Sequence, residues 1–134
     1  MAVSERTLGI DFGTSNSAAG ILLDGAPHLI SVEGQGRTMP TSIFFDFEAQ
    51  DTVFGAAANK AMIAGEEGRY MRALKSILGT SLMHEPRRMF GKSMTFVDII
   101  ARFLMHLKAA AEAQTGRCFD QAISGRPVHF HSAD

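Results

Sequence analysis

The run Leu8-Gly9-Ile10-Asp11-Phe12-Gly13-Thr14-Ser15-Asn16-Ser17 constrains this chain more than any other stretch. Leu8 to Phe12 reads as a buried strand that carries an acid to its end, and Gly13 then opens a turn rich in hydroxyls. No helix follows. Ala18-Ala19-Gly20-Ile21-Leu22-Leu23 continues as a second apolar strand, and Asp24-Gly25 is a strong signal for a two-residue hairpin turn. Residues 13–16 are therefore the tip of a β-hairpin. An acid, a glycine and hydroxyls in one small loop suit a magnesium-bound phosphate. The carboxylate orients a hydrated cation, and glycine lets backbone N–H groups approach an anion closely. A Walker loop is excluded, because it opens a helix and ends in Gly-Lys-Ser/Thr.

Beyond this loop the first third is strand-rich. Leu8–Phe12, Ser17–Leu23 and Pro27–Val32 read as an antiparallel meander, Ser42–Phe47 as a fourth strand and Val53-Phe54 as a short fifth. Gly34-Gln35-Gly36 breaks the pattern, and Pro40 permits only an edge or a turn. Helices are predicted over Ala56–Ala64 and Glu67–Leu78. In the second, Met71, Leu74, Ile77 and Leu78 fall at helical spacing and Gly79 closes it. Thr80–Ser93 reads as irregular. The longest helix runs from Thr95 or Phe96 to Thr115, with Ile99, Ile100, Phe103, Leu104, Leu107 and Ala111 on one face. Thr95 with Asp98 caps it and Gly116 ends it. Phe119–Ser124 is a final strand.

Composition excludes several classes of function. With 13 basic and 14 acidic residues the net charge is −1, so no global field points to nucleic acid or anionic lipid. Arg87, Arg88 and Lys92 form a local basic cluster of the kind found in solvated loops. The single Cys118 cannot form an internal disulfide, in keeping with a reducing compartment. No apolar run approaches membrane-spanning length and no signal core precedes Leu8, so a cytoplasmic location away from membranes is expected. His129 and His131 share a face if extended, but lack a third ligand at useful spacing; His28, His84 and His106 read as structural. The eight methionines read as adaptable packing.

The wording Ile10-Asp11-Phe12-Gly13-Thr14-Ser15-Asn16-Ser17 resembles the first phosphate loop of the actin-like ATPases, in the form used by the DnaK-type heat-shock chaperones. The D-x-G-T/S core alone is shared with sugar kinases and actin relatives. Further stretches narrow it. Arg37-Thr38-Met39-Pro40-Thr41-Ser42-Ile43 is similar to the family's R-T-x-P-S-I crossing segment, and Phe54-Gly55-Ala56-Ala57-Ala58 to its V-G-x-x-A helix entry. Ala73-Leu74-Lys75-Ser76-Ile77-Leu78-Gly79 is similar to its A-K-R-L-I-G segment, which places a lysine at the nucleotide. All occur in the family's order. The chain is thus identified as a DnaK-type member, with the YegD-like group as a finer expectation.

The resemblance implies an α/β fold of the ribonuclease-H-like, actin-like ATPase type, N-terminal portion only. Residues 1–38 and 94–134 would form a first subdomain, and residues 39–93 an insertion capping it. The segment Ile123 to Phe130 is similar to the family's strand ending in V-P-A-Y-F. The family's second acid loop, adenosine-contacting segment and peptide-binding domain have no counterpart in these 134 residues, so a fragment, inactive alone, is expected.

The resemblance further implies binding of ATP or ADP with Mg2+, hydrolysis coupled to conformational change, and cochaperones and unfolded polypeptide as partners of absent regions. Asp11 would orient magnesium through water; its alternative is an Asx-type turn onto residues 13–15. Gly13, Thr14, Ser15 and Asn16 would hold phosphates, or form an ordinary polar hairpin loop. By spacing Lys75 is a surface lysine beside an apolar stripe. Only the resemblance makes it the catalytic lysine. Ser76 stands where the family usually has arginine, which puts the tuning supplied by that arginine in doubt. Pro127 matches a proline that relays nucleotide state, yet Gly125-Arg126-Pro127 equally fits a plain turn. Two other functions share these features: a small-molecule kinase acting on a sugar or acid, and a non-catalytic nucleotide-binding protein.

Overall fold

The computed structural model describes residues 6–34 and 36–124. In chain order these form β1 (Thr7–Phe12), β2 (Asn16–Leu23), β3 (Ala26–Leu29), β4 (Met39–Pro40), β5 (Ser42–Asp46), β6 (Asp51–Phe54), α1 (Ala56–Ile63) and β7 (Gly68–Arg72). Two 3₁₀ turns, Leu74–Ile77 and Ser81–His84, lead to β8 (Arg87–Met89), β9 (Lys92–Met94), α2 (Phe96–Thr115) and β10 (Gln121–Ser124).

The mixed α/β class and the opening meander are as the sequence predicts. β1 and β2 pair antiparallel with Phe12 opposite Ser17, and β2 pairs antiparallel with β3. Asp24 and Gly25 have φ of 51° and 80°. Both central residues are thus left-handed, as a type I′ turn needs to match the twist of its strands. β3 stops at Leu29, short of the expected Val32, although Ile30 N–H still donates to Ala19 O at 3.0 Å. β10 joins β1 in parallel, giving the order β10-β1-β2-β3, with the two-residue β4 also on β2. Pro40 sits in that short strand, where its missing N–H removes little from the ladder.

α2 supplies the body of the core. Thr95 Oγ1 accepts from Asp98 N–H and Asp98 Oδ2 accepts from Thr95 N–H, the reciprocal cap expected from the sequence. Ile99, Ile100, Phe103, Leu107 and Ala111 are buried along one face, against Leu8, Ile10 and Phe12 of β1. The second sheet has the order β6-β5-β7. Side chains of β5 alternate as its pleat dictates: Ile43 and Phe45 join the main core, whereas Phe44 packs with Ala58 and Ala61 of α1.

Two expectations for residues 67–93 are corrected. Glu67–Leu78 is not a helix. Gly68–Arg72 pairs antiparallel with β5, sending Met71 into the main core and leaving Tyr70 against the α1 cluster. A Cβ at residue 68 would overlap the Phe45 carbonyl, so Gly68 is what permits this close pairing. Ala73, left-handed at φ 55°, then breaks the strand into the first 3₁₀ turn, whose C-cap is the extended Leu78, with Gly79 left-handed at φ 82° just after it. Thr80–Ser93 is likewise ordered: it holds the second 3₁₀ turn and the β8–β9 hairpin. Arg87 is half-buried with its guanidinium 4.0 Å above the Phe96 ring, and Arg88 donates to Gly91 O. The segment is therefore a hairpin and not an irregular loop; Arg88 and Lys92 are exposed, as in a solvated cluster, and Arg87 alone is held against α2.

The methionines divide. Met39, Met71, Met89 and Met94 are core residues, while Met62 and Met105 are exposed. Among the described residues no helix is long and apolar enough to cross a membrane.

Candidate phosphate-binding loop

The site is built by the β1–β2 connection. Burial of Leu8, Ile10 and Phe12 fixes the β1 face, so alternation leaves Asp11 half-buried at the strand's end. Gly13 follows. A Cβ there would overlap the Asn16 carbonyl oxygen, so the turn closes this tightly only with glycine. Thr14, Ser15 and Asn16 are exposed at the tip. Their side chains are engaged in no hydrogen bond among the described residues, which leaves the hydroxyls of Thr14 and Ser15 open to solvent.

The loop is held from outside. β4 runs beside its exit with Pro40 opposite Asn16 and Met39 opposite Ser17. Thr41 N–H donates to Ser15 O at 2.9 Å. Ser17 Oγ and Thr41 Oγ1 lie 2.6 Å apart, and both residues are 1% exposed. Thr41 continues into β5, where Ser42 Oγ lies 2.8 Å from Asn59 Oδ1 and 3.1 Å from Gly55 O at the start of α1. The segment 37–43 therefore braces the loop, a contact that its wording alone did not reveal.

The helix entry at 54–58 is organised by a residue the sequence reading passed over. Glu33 Oε2 accepts from Ala56 N–H at 2.8 Å, capping α1 from the end of the meander. Beside it Phe54 stacks on His106 of α2, with ring centroids 4.3 Å apart and planes at 19°. Burial lowers the His106 pKa below its ordinary value, with the Glu33 carboxylate opposing. A structural role for His106 fits this packing.

Lys75 lies on the first 3₁₀ turn, not on a helix. Leu74 is fully buried in the main core and pins the turn, leaving Lys75 exposed. Among the described residues its side chain forms no hydrogen bond or ion pair, whereas Asp11 and Gly13–Asn16 lie together on the β1–β2 connection. Ser76 Oγ donates to Ala73 O, steadying the same turn. Pro127, with Gly125, Arg126, His129 and His131, lies outside the described residues. Among the described residues no three His, Cys, Asp or Glu side chains gather as a metal cage. The carboxylate that Asp11 offers at the end of β1 is the kind of hard oxygen donor that suits a hydrated magnesium ion.

Comparison with known proteins places these features. The family model described as Hsp70 protein matches residues 7–88, which include the loop, its β4 brace and the turn bearing Lys75. The chaperone protein DnaK of Methanothermobacter thermautotrophicus is 35% identical over 134 residues, covering 97% of this chain and 22% of its own length. DnaK of Picrophilus torridus is 33% identical over 130 residues, 94% of this chain and 20% of its own. DnaK of Mycoplasma mycoides is 30% identical over 130 residues, 96% of this chain and 21% of its own. The chain thus spans between 20% and 22% of the length of these curated relatives. With the family model matching residues 7–88, more than half of the chain, the chain belongs to the Hsp70 protein family.

Proposed function

We propose that this chain is the first part of the actin-like, ribonuclease-H-like ATPase domain of a DnaK-type chaperone, in which Mg-ATP binding and hydrolysis drive a conformational change. The observation that carries it is the tight loop Gly13–Asn16 at the end of β1, with the half-buried Asp11 at its base. Phosphoryl transfer asks a protein mainly for positioning and charge neutralisation, and a hairpin of backbone N–H groups and hydroxyls offers both.

In this reading Gly13, Thr14, Ser15 and Asn16 bind and orient the phosphates. Asp11 holds a water of the magnesium shell. When bound, the cation neutralises phosphate charge and organises water near the γ-phosphate. Lys75, on its 3₁₀ turn, adds positive charge that stabilises the in-line attack, and Pro127 relays the nucleotide state. Residues 1–38 and 94–134 form the first subdomain and 39–93 the insertion. Cochaperones and unfolded polypeptide bind through other regions, in the cytoplasm. The YegD-like subgroup belongs to the same proposal. Alone, this chain binds nucleotide weakly, because it carries one side of the cleft.

The test is magnesium-dependent ATP hydrolysis by the intact protein beside its Lys75→Ala variant. Loss of about 10²–10³ in turnover with binding retained is expected, the usual scale for a removed electrostatic stabiliser. Equal turnover in both proteins would refute the role of Lys75. Binding without turnover in either would replace the ATPase reading with that of a nucleotide sensor.

A further inference from the structure

We infer that Ser17 and Thr41 are positioning residues for the phosphate loop, their paired hydroxyls locking its exit onto β4 so that its amides are presented in one geometry. The inference rests on the nucleotide reading above and adds to it the device that shapes the site.

The loop is tied from outside as well as through its own hairpin. No side chain of Thr14, Ser15 or Asn16 is hydrogen-bonded among the described residues. Two ties come from residue 41 instead. Its N–H reaches Ser15 O at 2.9 Å, and its hydroxyl meets Ser17 Oγ at 2.6 Å in a site closed to water. Ser17 is also opposite Phe12 in the β1–β2 register, so fixing Ser17 fixes the residue that closes the hairpin. Gly13 leaves no slack on the entry side, because the Asn16 carbonyl fills the space of a side chain.

Stability alone does not account for the pair. Two buried hydroxyls replaced together by apolar groups of similar shape leave a protein about as stable as before, whereas removing one leaves the other without its partner. What a hydroxyl pair adds is direction: a short bond at one distance, where apolar contact tolerates sliding. Thr41 also joins β4 to β5, whose first residue Ser42 reaches Gly55 and Asn59 at the start of α1. The pair therefore sets the loop against both sheets.

The experiment compares the intact wild-type protein with Thr41→Val, Thr41→Ser and the double variant Ser17→Ala/Thr41→Val. Each is measured for Kd and stoichiometry of ATP with magnesium by calorimetry, and for its urea midpoint. Thr41→Val is expected to lower the midpoint and to raise Kd about fivefold, the scale of one hydrogen bond. Thr41→Ser restores both. The double variant recovers the midpoint but keeps the raised Kd, a separation that a merely structural role cannot produce, since instability lowers stoichiometry and not affinity. An unchanged Kd in Thr41→Val, or a Kd that recovers with the midpoint in the double variant, overturns the positioning role while leaving the nucleotide reading intact. Absence of ATP binding by the wild type overturns both.

Discussion

Replacing Phe103 with alanine tests how the loop is seated on the core. Phe103 is fully buried on α2, and its ring centroid lies 5.9 Å from that of Phe12 and 6.3 Å from that of Phe54. Phe12 is the residue before Gly13, so the ring of Phe103 supports the base of the hairpin. Truncating a buried phenylalanine to alanine costs about 3–5 kcal/mol through lost transfer energy and the cavity left behind. The two tilted ring pairs contribute about 0.5–1.5 kcal/mol each beyond burial, which places this site toward the upper end of that range. Phe103→Leu keeps most of the volume and loses mainly the ring pairs, for about 1–3 kcal/mol. With a urea m-value of about 2 kcal/mol/M, the midpoint should fall by about 2 M for alanine and by about 0.5–1.5 M for leucine. Equilibrium urea denaturation followed by far-ultraviolet circular dichroism reads both shifts. A fall below about 0.5 M for Phe103→Ala would refute the reasoning, because no buried ring wedged between Phe12 and Phe54 is removed so cheaply.

Two further outcomes follow from local geometry. His106 is stacked on Phe54, and burial makes it a weaker base in the folded state than in the unfolded chain, despite the opposing Glu33. Its contribution is therefore complete above the unfolded pKa and is lost as pH falls toward the folded one. The thermal midpoint of the wild type should drop more between about pH 7 and pH 5 than that of His106→Phe, which keeps a stacked ring without the charge; equal drops would exclude His106 as the source. Thr95→Ala removes the acceptor for Asp98 N–H and should cost about 1 kcal/mol, recovered by Thr95→Ser. An unchanged urea midpoint in Thr95→Ala would mean that the cap does not hold α2.

Much of the molecule was legible because local chemistry and tertiary structure agree. The Asp24-Gly25 turn, the apolar alternation of β1 and the Thr95–Asp98 cap each demand one local conformation, and the fold uses it. The hairpin bearing the candidate loop was legible for the same reason: an apolar strand, a glycine turn and a second apolar strand fix a local reversal of the chain. Residues 67–78 show the opposite case. Met71, Leu74 and Ile77 fit a helical stripe, but the open edge of β5 offers backbone partners that an isolated helix of this length cannot match. Gly68 and the alternation of Arg69, Tyr70, Met71 and Arg72 were the signals for a strand, and the apolar spacing outweighed them.

The sequence by itself determined the meander, the tight hairpin loop at its tip, the long capped helix and, through the wording of those stretches, the family. Each rests on interactions between residues a few positions apart, whose outcome the local order of side chains already dictates. Tertiary structure alone decided that residues 68–72 join a sheet, that Glu33 caps α1 and that Thr41 braces the loop through Ser17. Those contacts join residues 23 to 24 positions apart in the case of the cap and the hydroxyl pair. Their partners are set by which backbone edges and buried spaces the rest of the chain leaves open, a condition that no single segment carries.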